Sequence, residues 1–192
     1  MESDTTEIIL SQSNGNTIPA GTRIQAIYPD AERIVVTPDE TMDLTLEVTE
    51  TVRSATGVIV IPMGSQVEGR LEPRSGGTQF VAQRLILAGT GQTSDLDARS
   101  EVVTTTEEIR EGTDTGAILR GAAIGAAAAT AVDLIMGDGK IGLGTILVGA
   151  TLGAGAGWAL DGRKQATVLV VDAAEDLDLT LDSALVLATP SQ

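Results

Sequence analysis

Cysteine and histidine are both missing from the 192 residues. Without a thiol there is no disulfide and no thiolate metal site. Without an imidazole the chain cannot build a Ser-His or Cys-His nucleophile, nor a histidine-ligated metal. Aromatic residues are almost as scarce, with one Phe, one Tyr and one Trp, so the core must be aliphatic. Positive charge is short as well: 12 Lys and Arg stand against 27 Asp and Glu. A formal charge of −15 with no basic cluster argues against nucleic acid as a direct partner, because phosphate binding rests on grouped cations that displace counterions. The opening MESDTTEIIL has no basic region ahead of an apolar run, so it does not read as a signal peptide.

Apolar residues make up 42 % of the chain, enough for one buried core or a core plus a projecting element. Most of the sequence reads as β. IIL at 8–10 and IPAGTRIQAIY at 18–28 begin the pattern, followed by RIVV at 33–36. In TMDLTLEVTE, Met42, Leu44, Leu46 and Val48 alternate with polar residues, the period of a half-buried strand. GVIVIP at 57–62 is a continuous apolar run and predicts a central strand covered on both faces. Pro62 and Gly64 then form a tight turn, and Gly69 inside the next strand allows a bulge or the close approach of another backbone. SGGT at 75–78 signals a hairpin. After residue 165 the β character returns, with Leu177, Leu179 and Leu181 on one face and Asp176, Asp178 and Asp182 on the other.

Between these regions, residues 112–164 are rich in Ala and Gly. The composition predicts two helices, at about 115–136 and 141–160, joined by a GDGK turn and capped at the start by Thr113 or Asp114. Gly121 and Gly125 on the first helix, and Gly149, Gly153 and Gly157 on the second, recur every fourth residue. Each glycine costs up to about 1 kcal/mol of helix propensity, and the compensating gain is close backbone packing between helices or subunits. The run from Ile141 to Leu160 carries no charge, and its length of about 30 Å matches a hydrocarbon layer. Arg120, Trp158, Arg163 and Lys164 fall where a membrane interface would lie. Two readings stay open: helices in contact with lipid, or a soluble hairpin packed on itself or on the β domain.

Motifs with chemical associations do not carry chemistry here. DTGA at 114–117 has the Asp-Thr-Gly of aspartic proteases, but a single copy would need a dimer, and no apolar strand precedes it. GDGK lacks the spacing and the Ser or Thr of a phosphate loop. The carboxylates of DLDLTLD share a strand face but stand about 7 Å apart, which suits a solvated acidic face better than a calcium cage. The expectation is therefore a chain with no catalytic residue, no cofactor and no metal.

IPAGTRIQA, then GVIVIPMGSQVEGRL followed by GGTQFVAQRLIL, then ATVLVVDAAEDLDLTL, together resemble the C-terminal domain of TrbI-like conjugal-transfer proteins. Those are outer-membrane-complex subunits of type IV secretion systems. Ile61-Pro62-x-Gly64-Ser65-x-x-x-Gly69 is the sharpest element of a resemblance that covers most of 18–187. It implies a modified β-barrel or sandwich carrying a glycine-rich αα-hairpin. By this division residues 1–17 are a tail or edge strand, 18–110 with 165–192 the β domain, and 111–164 the inserted hairpin. It further implies a non-enzymatic scaffold whose copies form a ring, in contact with membrane lipid and other envelope proteins. The location implied is the cell envelope, periplasm or outer membrane, if a leader has been removed, with the cytoplasm as the alternative. The N-terminal transmembrane helix and Pro-rich linker of full-length members are missing from the sequence, so a stand-alone version of the domain is expected.

Overall fold

A computed structural model describes residues 16–110, 119–136, 150–151 and 165–187. β1 (Thr17–Ile18) and β2 (Arg23–Ile24) flank the Pro19-Ala20-Gly21 turn, where Gly21 adopts φ +80°. β3 (Ala26–Ile27) follows after one residue, then β4 (Arg33–Val36) and the long β5 (Thr41–Val48). β6 (Val52–Arg53) and β7 (Ile59–Ile61) make a small ribbon, and β8 (Gln66–Arg74) and β9 (Gly77–Ile86) a long hairpin. After β10 (Thr93–Asp95), β11 (Ala98–Arg99) and β12 (Thr106–Arg110), β13 (Ala122–Ile124) runs directly into helix α1 (Ala126–Met136). β14 (Ala150–Thr151), β15 (Gln165–Asp172), β16 (Leu179–Leu181) and β17 (Leu185–Val186) complete the described chain.

The largest sheet runs β14-β5-β8-β9-β11-β16-β2, and β3 pairs with β5. Residues 23–27 therefore touch both ends of it: β2 pairs with β16, and one residue later β3 pairs with β5. The sheet is thereby almost closed into a barrel, which leaves few edges for unwanted pairing. Asp178 pins the point where the chain changes partner. Its Oδ1 accepts from the Ala26 N–H at 3.2 Å, and its Oδ2 accepts from Arg23 Nε at 3.1 Å. Met42, Leu44, Leu46, Val48, Val67, Leu71, Phe80, Leu85, Leu179 and Leu181 are all buried in the core this sheet encloses. Each fully buried Leu or Ile contributes about 1.5–3 kcal/mol.

The second sheet has the order β12-β15-β4-β13 and is covered on both faces. Ile34, Val36, Leu169, Val171 and Ala123 belong to the main core. Their neighbours Val35, Val168, Val170, Ala122 and Ile124 join Ile109 in a second cluster under α1. Helix α1 meets this face with Ala128, Ala129, Ala131 and Val132 and leaves Thr130 and Asp133 exposed. Two-sided cover explains why RIVV and the run after Gln165 are apolar at nearly every position.

The structure departs from the expected elements in three places. GVIVIP is not a central strand: among the described residues β7 pairs only with β6, and Val58 and Ile59 are 44 % and 49 % exposed. A short apolar run looks the same whether a neighbouring sheet covers it or solvent does. The helix expected over 115–136 is interrupted: Leu119 is helical, but Gly121 takes φ +69°, Ala122–Ile124 pair in parallel with β4, and α1 starts at Ala126. Within the second expected helix, Ala150–Thr151 pair antiparallel with β5 at Met42 and Thr41, so that helix is not continuous over 141–160. The remainder of that segment, the GDGK turn and the expected caps Thr113 and Asp114 lie outside the described residues, as does IIL at 8–10. The architecture is thus mainly strand with a barrel-like sheet, and among the described residues the inserted region contributes the edge strands β13 and β14 and helix α1. No helix among the described residues is long and apolar enough to cross a membrane.

Candidate functional site

Three elements converge on one buried carboxylate, Glu40, which is 1 % exposed. It lies between β4 and β5, after a turn in which its N–H donates to Thr37 O at 3.1 Å. Its Oε1 accepts from the Ala127 N–H at 2.8 Å, and its Oε2 from the Ala128 N–H at 3.2 Å and the Thr37 N–H at 3.1 Å. The acid thus caps the positive end of α1, whose first-turn N–H groups have no partner within the helix. Gly125 makes this possible. A Cβ there would lie 2.4 Å from Glu40 Cδ and 2.4 Å from Oε1, so only glycine lets the carboxylate reach the helix. Burying a carboxylate this completely requires such hydrogen bonds.

A second feature is an open hollow of about 470 Å³ lined in part by Tyr28, Asp30, Asp43, Glu68, Gly69 and Arg70. Arg70 Nε donates to Asp43 at 2.8 Å, and Arg84 Nη1 donates to Glu68 at 2.7 Å, so these charges cancel in pairs across the strands. Tyr28 is 5 % exposed, and its hydroxyl donates to Asp30. Burial, with the adjacent Asp30 charge and this hydrogen bond, pushes the phenol from 10.0 up to about 12. The folded state holds the proton longer than the unfolded chain, so stability should fall as pH rises from 10 towards 12. Because Tyr28 is the chain's one tyrosine, phenolate absorbance reads it alone. The expected midpoint is about 12 when folded and near 10 in denaturant; a folded midpoint near 10 contradicts the buried, Asp30-bonded phenol.

The other residues singled out from the sequence separate into distinct places. Pro62 and Gly64 form the turn after β7: Gly64 adopts φ +81°, and the fully buried Ser65 donates its hydroxyl to Pro62 O at 2.7 Å. Gly69 lies where the β8–β9 register shifts, between Glu68 and Gly69. A Cβ on it would meet Val81 O at 2.3 Å and Phe80 Cζ at 2.6 Å. Gly121 sits in the turn before β13, where its carbonyl accepts from the Glu32 N–H at 2.9 Å, and Arg120 beside it is exposed. Gly121 and Gly125 therefore do not share a helical stripe, since β13 runs between them and Gly125 lies just before α1. Gly149, Gly153, Gly157, Trp158, Arg163 and Lys164 lie outside the described residues.

Sequence reasoning passed over Glu40 and Phe80. Thr37-x-x-Glu40 has the spacing of a capping box, yet the helix it caps lies 87 residues further on. Around Phe80, alternation breaks between Ala82 and Leu85, with Gln83 and Arg84 both exposed, and that break marks the bulge.

No protein-family model matches the chain, and no curated protein matches it by sequence. A solved structure does match: ComB10 of the Com type IV secretion system of Helicobacter pylori. It aligns over 94 % of this chain and 95 % of its own, with a TM-score of 0.51 and 13 % identity. The chain shares its fold with ComB10. That likeness holds over nearly the whole of both chains, so it describes the architecture rather than one local motif.

Proposed function

We propose that the chain is a non-enzymatic structural subunit of a cell-envelope assembly of the type IV secretion or conjugation kind, homo-oligomerising through its β domain. The observation that carries this reading is the end-to-end fold likeness to a secretion-system subunit, 94 % of one chain on 95 % of the other. The TrbI-like pattern around Ile61-Pro62-x-Gly64 supports it from the sequence side. The chemistry of the chain agrees, because it has neither histidine nor cysteine for nucleophilic work. The Ala- and Gly-rich insertions of the copies would bundle at or through a membrane, in contact with lipid or with other envelope proteins.

A second reading is a soluble monomeric or dimeric binding module. It is favoured by one observation: α1 packs on the second sheet of its own chain instead of projecting from it. Native mass spectrometry of the full chain, with and without detergent, separates the two. The scaffold reading expects one discrete homo-oligomer that detergent preserves. A monomer or dimer under both conditions contradicts it and supports the binding module.

A further inference from the structure

The helix α1 starts without a cap of its own. Ile124 and Gly125, immediately before it, carry no side-chain oxygen, and its first turn contains no acidic residue. Its first-turn donors rely instead on Glu40, 87 residues earlier in the chain than Ala127. The remaining anchorage is slight. β13 pairs with β4 over three residues, in parallel, at the edge of the second sheet. Most of the helix face against that sheet is alanine, and alanine buries little area per residue.

We propose that Glu40 is a latch. The negative charge of its carboxylate holds β13 and α1 on the barrel as one unit, and removing that charge lets the unit open while the barrel stays folded. Three features make the contact a latch rather than ordinary packing. The carboxylate joins Thr37 at the end of β4 to the start of α1 while itself leading into β5. Charge-assisted bonds of this kind are about twice as strong as neutral ones. Gly125 leaves the space the carboxylate occupies, so the lock depends on two residues far apart in sequence. The device stands whether or not the chain oligomerises.

Hydrogen exchange measured by mass spectrometry on the full chain tests it. In Glu40→Gln the side chain keeps its size but loses its charge, and its amide NH₂ faces backbone donors. Exchange over 122–136 should accelerate by about tenfold or more, while β5, β8 and β9 stay within about twofold of the parent chain. Gly125→Ala should give the same pattern with Glu40 intact, because the new methyl displaces the carboxylate. Uniform acceleration across the barrel, failure of both variants to fold, or unchanged exchange over 122–136 overturns the latch. An effect in Gly125→Ala without one in Glu40→Gln also overturns it, since packing at Gly125 would then be the anchorage.

Discussion

Gly69→Val is expected to lower the stability of the barrel by about 3 kcal/mol or more, a large part of the 5–15 kcal/mol typical of a domain. Position 69 faces the interior of the sheet, where Val67 and Leu71 on the same strand point inward. The extra residue Gln83 on β9 pushes the neighbouring backbone towards it, so that Val81 O would lie 2.3 Å from any Cβ and Ala82 Cα 3.0 Å. Two of the three nearest atoms are backbone and cannot swing aside. The third, Phe80 Cζ at 2.6 Å, shows what fills the space: the ring lies over the glycine. Urea unfolding of the variant should show a lower midpoint, and an unchanged midpoint would mean that the strands do not approach as closely as described.

Phe80→Ala carries the second large effect, an expected loss of about 3–5 kcal/mol. Phe80 is fully buried and is the chain's one phenylalanine, in a core built mostly of aliphatic side chains, so truncating it leaves a large cavity. The two positions should also be coupled. In the Phe80→Ala background, Gly69→Ala no longer meets the ring but still meets Val81 O. It should therefore cost less than in the parent chain by about 0.5–3 kcal/mol, while still costing something. Strict additivity of the two changes would contradict the stacking of ring on glycine.

The regular strands were legible because their patterning is local. The alternation in β5 and the row Leu177, Leu179, Leu181 declare their faces with no knowledge of partners, and Gly76 at φ +81° sits where the SGGT signal placed a turn. What could not be read were decisions made by distant neighbours. Ala122–Ile124 has the composition of a helix, but it lies beside the open edge of β4, and that pairing overrides propensity. Val58–Ile61 has the composition of a buried strand, but β7 pairs with β6 in a small ribbon and not with a strand of the barrel sheet. The Glu40 cap needed both Thr37-x-x-Glu40 and a glycine far along the chain, and no local window contains the two.

For the candidate site, sequence pattern pointed to Pro62, Gly64 and Gly69 as special backbone positions, since glycine or proline inside or beside a strand has few other uses. It could not identify Phe80 as the side chain that occupies the space above Gly69, nor place Tyr28 and Asp30 beside Gly69 and Arg70 in the lining of the hollow. Those contacts depend on strand register, and register is set by the whole sheet.

The central claim is that this barrel is a building block of an envelope assembly. Fractionating the cells that make the protein, and imaging the particles that detergent releases from the envelope by electron microscopy, tests it most directly. The account predicts that the chain sediments with the envelope and is found in ring-shaped particles of repeated copies. Recovery in the soluble fraction as free single molecules would contradict it.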